Sequence, residues 1–366
     1  MTETAPIQAG ADVVSTRYWH RLDDGRLQCD LCPRACRLNE GQRGLCFVRG
    51  RLNDEVVLTT WGRSSGFCVD PIEKKPLNHF YPGSAVLSFG TAGCNLSCKF
   101  CQNWDISKSR QMDTLMDQAR PEAIARTARE MGCTSVAYTY NDPVIFHEYA
   151  LDVAAACHEQ GLKNVAVTAG YICEAPRREF FSVMDAANID LKSFDEAFYW
   201  KTTGAHLQSV LDTLEYVANE TDVWLELTTL LIPGRNDSEQ ELDAMTRWVV
   251  RHLGPGVPMH FTAFHPDYKL RDVPATSHAS LQRARAIARA NGIIHAYTGN
   301  VHDSEGSSTA CQGCGETVIE RDWYQLGQWQ LEGNQCRHCG TVLAGHFQAD
   351  GPGRWGARRV PVTLAR

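Results

Sequence analysis

The sequence predicts an α/β protein whose core is a partial (β/α) barrel of six to seven βα units, flanked by two cysteine-rich elements. Between residues 85 and 300, short β-branched runs alternate with helical stretches, which is typical of parallel strands joined by crossover helices. The chain also carries 15 cysteines in 366 residues. Eleven of them form three tight groups: one before the alternating region, one at its start and one after it. Repeated right-handed crossovers curl such a sheet toward a barrel, with ligands bound at the carboxyl ends of its strands.

Composition and charge exclude several other classes of protein. The chain is 43% apolar and 22% charged, which excludes a disordered or collagen-like chain. Its net charge of −7 gives no overall attraction to nucleic acid, which we do not expect as a partner. No apolar run approaches the length of a membrane span, and residues 1–20 lack the pattern of an export signal. We therefore expect a cytoplasmic protein without membrane contact, whose clustered cysteines bind metals rather than form disulfides.

Residues 1–60 are expected to form an N-terminal metal-binding element. Its four cysteines are Cys29, Cys32, Cys36 and Cys46. Thiolates at this spacing suit a zinc ion or an iron–sulfur cluster, and the spacing alone does not decide between them.

Residues 61–303 are expected to form the core. Strands are predicted at Ala85–Gly90, Thr134–Tyr140, Asn164–Thr168, Asn188–Leu191, Val223–Leu231, Met259–Phe264 and Ile293–Thr298. Helices are predicted at Pro121–Met131, Pro143–Gln160, Pro176–Ala186, His206–Glu220, Ser238–Leu253 and Ser277–Asn291. Proline near a helix start and glycine after a helix end support several of these bounds. Polar motifs follow every predicted strand, which places a ligand site at the carboxyl edge of the sheet.

The second cysteine group, Cys94, Cys98 and Cys101, follows the first predicted strand directly. Three thiolates on one loop suit three irons of a cubane cluster and leave the fourth iron free to bind another molecule. A structural zinc site needs four ligands, and no further Cys or His lies close by in the sequence. Phe100, next to the third cysteine, is placed to shield the cluster and to offer an aromatic wall to a bound adenine.

The motif CNLSCKFC on a predicted partial barrel resembles the radical S-adenosylmethionine (SAM) superfamily. Further segments resemble the AmmeMemoRadiSam-system radical SAM enzymes, which are relatives of the pyruvate formate-lyase activating enzymes. These segments are DPIEKKPLNHFYPG, YTYNDP, NIDLKSFDEAFYWKTTG, ELTTLLIPGRND, HFTAFHPDYK and YTGNV. With the flanking cysteine groups, the resemblance extends from about Cys29 to Phe347.

The resemblance implies a [4Fe–4S] cluster on the second cysteine group, with SAM chelating the open iron. Reduction then yields methionine and a 5′-deoxyadenosyl radical, which abstracts hydrogen from an unidentified substrate. The resemblance places Asn141 and Asp142 by the methionine amino group, Asp190 and Lys192 by the ribose or the methionyl carboxylate, and His265 near the adenine or ribose.

Two positions depart from the family pattern. Asp142 stands where the relatives usually have Glu, and its shorter side chain puts direct contact with the SAM ammonium in question, so that a bridging water is needed. Ala169 stands where they tend to have Asn, which removes an amide group at a strand end.

Residues 304–347 are expected to form a zinc-ribbon-like element. Its cysteines form two C-x2-C knuckles, each followed by glycine: Cys311, Cys314, Cys336 and Cys339. Four thiolates in this pattern favour tetrahedral zinc, although a rubredoxin-type iron or a second cluster also takes such ligands. Residues 348–366 are expected to be a flexible tail.

The resemblance also implies partners: an electron donor such as flavodoxin or ferredoxin, and proteins similar to Memo and AMMECR. Two other functions stay open at this point. One is an activating enzyme for a glycyl-radical enzyme of the pyruvate formate-lyase type. The other is a non-catalytic iron–sulfur or zinc protein that carries electrons or docks a partner.

Overall fold

The structure is a computed structural model that describes Ile7, residues 9–109 and residues 117–364. The N-terminal element contains six short strands, which form two antiparallel sheets of three strands each. The strands are β1 (Val14–Ser15), β2 (Trp19–Arg21), β3 (Leu27–Cys29), β4 (Arg37–Leu38), β5 (Arg49–Leu52) and β6 (Glu55–Leu58).

The core is built on one large mixed sheet. Its strands are β7 (Arg63–Pro71), β8 (Ala85–Gly90), β9 (Asp117–Gln118), β10 (Ser135–Tyr138), β11 (Lys163–Thr168), β12 (Ala186–Asp190), β13 (Trp224–Leu231), β14 (Met259–Ala263) and β15 (Ala296–Gly299). Strands β8 and β10 to β15 lie side by side in chain order and are all parallel, whereas β7 pairs antiparallel with β8. These parallel strands are the seven that the sequence predicts, with bounds that differ by up to three residues.

Helices lie between the parallel strands and after the last of them. They are α1 (Trp104–Ser107), α2 (Pro121–Glu130), α3 (His147–Glu159), α4 (Glu174–Phe181), α5 (Glu196–Phe198), α6 (Leu207–Glu220), α7 (Glu239–His252), α8 (His278–Ala290) and α9 (Ser304–Ser307). All six predicted helices are present. The side chain of Ser238 caps α7 by accepting a hydrogen bond from the Glu241 amide, and Ser277 caps α8 in the same way. The predicted helix from Pro143 begins with a 3-10 turn at Pro143–Phe146 before α3.

The sheet is open in the described part of the chain, where β15 pairs with β14 alone. All residues of β8 and β10 are buried, as expected for central parallel strands covered on both faces. Within the described residues, no helix combines the length and the apolar character that a membrane span requires. The closing of this sheet into a partial barrel stays a prediction, as do the domain boundaries at residues 60, 303 and 347.

The C-terminal element has a small core of its own, formed by two cysteines and four aliphatic residues: Cys311, Val318, Ile319, Leu331, Cys336 and Leu343. Its strands are β16 (Thr309–Ala310), β17 (Thr317–Asp322), β18 (Gln325–Trp329), β19 (Leu331–Glu332) and β20 (Gln335–Cys336).

The last described residues differ from the flexible tail that the sequence predicts. Strand β21 (Val360–Pro361) pairs antiparallel with β7, opposite Val69 and Cys68. Leu364 is buried. Part of this segment therefore completes the edge of the main sheet, because β7 offers unpaired backbone groups there.

Candidate functional site

A cavity of about 370 Å³ lies at the carboxyl ends of the parallel strands. Residues from β8, β10, β11, β12, β13 and β14, or from the loops that follow them, line its wall. Eight of the predicted site residues are among them: Cys94, Cys98, Phe100, Cys101, Asn141, Asp142, Asp190 and Lys192. The fold therefore brings together side chains that are up to about a hundred residues apart in the sequence.

The loop that carries the three cysteines is held from both sides. The Asn141 side-chain amide donates to the Gly93 carbonyl at 2.7 Å. The Ser97 backbone amide donates to the Thr203 carbonyl at 2.7 Å, within a π-helical turn at Tyr199–Thr203. Burial raises the pKa of the Cys98 thiol to about 12, so metal binding at this loop must release a proton.

The three thiols are more widely spaced than ligands of a single metal ion. Four thiolates at about 2.3 Å from one tetrahedral ion lie about 3.8 Å from each other. In the part of the chain that the structure describes, only the C-terminal group brings three or more candidate ligand atoms within 4.8 Å of one another. The wider spacing of Cys94, Cys98 and Cys101 fits a cluster with several irons.

Asn141 and Asp142 follow Tyr140, whose backbone adopts the left-handed conformation with φ of 69°. The Asp142 carboxylate accepts hydrogen bonds from the Thr168 hydroxyl at 2.8 Å and the Ala169 amide at 3.1 Å. Burial raises the pKa of Asp142 to about 6. Asn141 and Asp142 therefore connect the strand ends with the cysteine loop. Their contact with the methionine amino group stays a prediction.

Asp190 and Lys192 form an ion pair at the end of β12, with 2.6 Å between the Lys192 ammonium and a carboxylate oxygen. Burial of Lys192 disfavours its charge, but the Asp190 carboxylate outweighs that effect and raises its pKa. Lys192 therefore keeps its positive charge beside the cysteine loop.

Phe100 and His265 are placed differently. Phe100 is buried, lines the cavity and packs on Phe198 with 6.0 Å between ring centres. His265 is exposed and does not line the cavity. Its Nδ1 lies 2.9 Å from the side-chain amide of Gln102, which does line it. Phe100 therefore lines the site, whereas His265 contacts Gln102 and does not reach the cavity itself.

Sequence reasoning gave no role to several residues that line the cavity, among them Lys74, Lys75, Thr228 and Tyr324. The lysines belong to the segment DPIEKKPLNHFYPG, which carries part of the family resemblance, but the resemblance assigns them no role. Tyr324 comes from the turn between β17 and β18 in the C-terminal element. No spacing in the sequence indicates that this hairpin reaches the cavity.

The C-terminal cysteines form a compact tetrad. The Sγ atoms of Cys311 and Cys339 are 3.6 Å apart, and those of Cys314 and Cys336 are 3.9 Å apart. These distances match one tetrahedral ion with metal–sulfur bonds of about 2.3 Å. The tetrad therefore fits a single metal ion.

The N-terminal cysteines line a small internal cavity together with Arg49, Asn95 and other residues. Arg49 is buried and forms a two-pronged pair with Glu148, at 2.7 and 2.8 Å. This element packs tightly on the loop that carries Cys94, Cys98 and Cys101, because a Cβ at Gly93 would lie 1.9 Å from the Cys46 carbonyl oxygen. A side chain at residue 93 would push the two cysteine groups apart.

Comparison with known proteins is consistent with this geometry. Residues 89–246, from β8 into α7, match the radical SAM superfamily. An uncharacterized protein of Methanocaldococcus jannaschii is 38% identical over 328 residues, which are 89% of this chain and 97% of that protein.

Two activating enzymes show weaker similarity. The pyruvate formate-lyase-activating enzyme of Clostridium pasteurianum is 22% identical, over 53% of this chain and 85% of its own. The 4-hydroxyphenylacetate decarboxylase activating enzyme of Clostridioides difficile is 22% identical, over 56% of this chain and 70% of its own.

Proposed function

The chain belongs to the radical SAM superfamily and is a radical SAM enzyme, and from this premise we propose that Cys94, Cys98 and Cys101 hold its [4Fe–4S] cluster. The observation that carries the proposal is the position of three widely spaced thiols on one loop at the strand-end cavity. With SAM, such a cluster supplies the one-electron reduction that yields methionine and a hydrogen-abstracting 5′-deoxyadenosyl radical. The hypothesis of a non-catalytic metalloprotein is set aside.

The residues around the cavity bind and orient SAM in this proposal. The charged Asp190–Lys192 pair supplies one acceptor and one donor for the ribose or the methionyl carboxylate. Phe100 excludes water from one side of the cluster loop. Gln102 takes the contact with adenine or ribose that the sequence assigns to His265, and His265 positions its amide. Asn141 and Asp142 hold the loop that presents the thiols.

The direct test uses protein purified without oxygen, loaded with iron and sulfide, reduced with dithionite and incubated with SAM. We expect 5′-deoxyadenosine and methionine to form in equal amounts. A fully loaded and reduced protein that binds SAM but forms no 5′-deoxyadenosine, alone or with cell extract as a source of substrate, would contradict the proposal.

The finer assignment that we propose is an AmmeMemoRadiSam-system enzyme, which works with Memo-like and AMMECR-like proteins in the cytoplasm and receives electrons from flavodoxin or ferredoxin. The segments quoted above support it, since they extend well beyond the cysteine loop. We expect purified Memo-like and AMMECR-like proteins, added together, to increase the rate of 5′-deoxyadenosine formation. An unchanged rate, with no binding to either protein, would contradict this assignment.

A second candidate is an activating enzyme for a glycyl-radical enzyme. The similarity to two named activating enzymes favours it. In that case, incubation with SAM, reductant and a glycyl-radical enzyme must produce the electron paramagnetic resonance signal of a glycyl radical. Its absence with an active enzyme partner leaves the first assignment.

The two remaining cysteine groups differ in the metal we propose for them. The compact tetrad Cys311, Cys314, Cys336 and Cys339 is assigned a single zinc ion. The N-terminal group Cys29, Cys32, Cys36 and Cys46 is assigned an iron–sulfur cluster, because its thiols share a cavity without contracting to single-ion distances.

A further inference from the structure

A pair of lysines lies in the wall of the large cavity, and the radical chemistry proposed above does not use it. The ammonium groups of Lys74 and Lys75 contact the two oxygens of the Asp70 carboxylate at 2.9 and 2.8 Å. The Arg359 guanidinium lies 3.9 Å from the same carboxylate. Asp70 is fully buried, so three cations share one carboxylate and leave an excess of two positive charges.

The other charged groups around the cavity do not offset this excess. Lys192 is paired with Asp190. Asp142 accepts only from uncharged donors at the end of β11 and adds one negative charge, which the positive charge of Lys108 near the cysteine loop matches. Burial raises the pKa of Glu73, whose carboxyl group accepts from the Gly83 amide. A positively charged wall of a confined cavity concentrates anions.

The cavity continues past the lysines toward the C-terminal element. A smaller cavity of about 70 Å³ shares five lining residues with the large one: Lys74, Pro76, Thr262, Asn300 and Tyr324. Two buried polar atoms of residues that line it, Glu73 Oε2 and Arg321 Nε, have no hydrogen-bond partner within the described structure. Buried polar groups without a partner are rare, and a bound polar molecule satisfies them.

We propose that Lys74 and Lys75 bind an anionic group, a carboxylate or a phosphate, of the substrate from which hydrogen is abstracted. The remainder of that substrate lies against Tyr324, so the C-terminal element forms part of the substrate site. This inference rests on the proposed function, since both use the same cavity. Lysine ammonium groups bind either anion as point charges, and the two anions are distinguished below.

The test is a calorimetric titration of the metal-loaded, full-length protein, saturated with SAM, with inorganic phosphate and separately with acetate. We expect one of the two anions to bind with a stoichiometry of one, and Lys74→Gln to weaken it at least tenfold, since a charge-assisted hydrogen bond contributes about 1.5–3 kcal/mol. Lys74→Arg, which keeps the charge, should retain most of the affinity and shows that the site tolerates substitution. Lys163, at the start of β11, is also a lysine paired with a carboxylate, that of Asp185. The matched control Lys163→Gln should therefore leave the affinity for the anion unchanged.

The same titration is repeated without SAM, and three results would overturn the inference: no binding of either anion in either titration, equal weakening by Lys163→Gln, or binding to the SAM-free protein that disappears when SAM is present. The last result would assign the lysines to the carboxylate of SAM itself. Failure of the proposed function is seen separately, as absence of 5′-deoxyadenosine from the wild-type protein, because the titration requires no SAM cleavage.

Discussion

The loop of Cys94, Cys98 and Cys101 and the C-terminal tetrad, in the roles proposed above, use the same ligand chemistry for different purposes. Cys94, Cys98 and Cys101 stand at the wall of a cavity of about 370 Å³ and are spread apart. The four C-terminal thiols lie within 4.8 Å of one another, as four ligands of one tetrahedral ion do. A metal site with an open position binds a reactant, whereas a closed site holds structure. Spacing and ligand number, rather than the presence of cysteine, separate the two roles.

The N-terminal group lies between these extremes. It offers four thiols, as the tetrad does, but they line a cavity instead of converging on one point. Because Gly93 packs on the Cys46 carbonyl, this group is also in direct contact with the catalytic loop. The comparison therefore predicts different responses when one cysteine is removed from the open group and one from the closed group.

The largest effect is expected for Cys98→Ser, which removes the most buried of the three catalytic thiols. We expect 5′-deoxyadenosine formation to fall to background, because the cluster loses a ligand on which its binding depends. Assays of iron, sulfide and 5′-deoxyadenosine on the anaerobic protein measure this loss. The matched control is Cys133→Ser, a buried cysteine outside all three groups, which should keep both the cluster and activity. If Cys98→Ser still cleaved SAM, the three-cysteine loop could no longer be distinguished from the C-terminal tetrad as the site of SAM cleavage.

The next effect is expected for Cys336→Ser, which breaks the closed tetrad. Structural zinc contributes directly to folding, so the variant should lose its zinc and the order of residues 309–343. Hydrogen exchange measures the local loss of protection, and metal analysis measures the zinc. The catalytic loop should keep its iron, because it draws no ligand from this element. Loss of iron together with zinc would show that the two sites are not independent.

A smaller effect, on the stability of the fold, is expected when the pH is lowered, because a buried histidine lies at the contact between the C-terminal element and the core. His79 Nδ1 donates to the Ala344 carbonyl at 2.8 Å, and Nε2 accepts from the Tyr297 hydroxyl at 2.6 Å, which requires a neutral ring. Burial lowers the pKa of His79 to about 4. Since the unfolded chain takes up this proton near pH 6.5, the stability is complete above that pH and falls as the pH drops toward 4.

The loss amounts to about 3 kcal/mol for a shift of this size. Thermal unfolding between pH 7.5 and pH 5 measures the first part of this loss. His79→Gln, which keeps a neutral donor and acceptor, should flatten that pH dependence. An equally steep dependence in the variant would assign the effect to other groups.

The smallest effect is expected for Lys192→Met at the rim of the open site. Removing one charged hydrogen-bond donor should raise the KM for SAM by about tenfold to a hundredfold, which corresponds to about 1.5–3 kcal/mol. The iron content should stay at the wild-type value, since Lys192 is not a ligand. Steady-state kinetics with SAM as the varied substrate measures the change. A normal KM with reduced iron would indicate that Lys192 supports the loop instead of SAM.

Much of the core follows from local sequence signals. Most of the seven parallel strands are rich in apolar or β-branched residues, and each is followed by a short polar loop, so both their existence and the position of the site could be predicted. The three-cysteine loop carries its chemistry within eight residues, Cys94 to Cys101, which makes it readable without a structure.

The rest depends on contacts between distant segments. Tyr324 reaches the cavity because the C-terminal hairpin packs near Lys74. The sequence around either residue contains no signal that predicts this contact. Val360 and Pro361 join the sheet because β7 leaves an edge free, although their own sequence is typical of a loose tail. His265 follows a strand end as expected, but its side chain meets Gln102 instead of the cavity.

The central claim is that the open site, and not the closed one, binds SAM. It is tested most directly by electron paramagnetic resonance of the reduced protein with and without SAM, for the wild type, Cys98→Ser and Cys336→Ser. The account predicts that SAM changes the cluster spectrum of the wild type and of Cys336→Ser, and that any signal left in Cys98→Ser, from the N-terminal group, does not respond to SAM. A SAM-dependent change that persists in Cys98→Ser, or disappears in an iron-loaded Cys336→Ser, would contradict it.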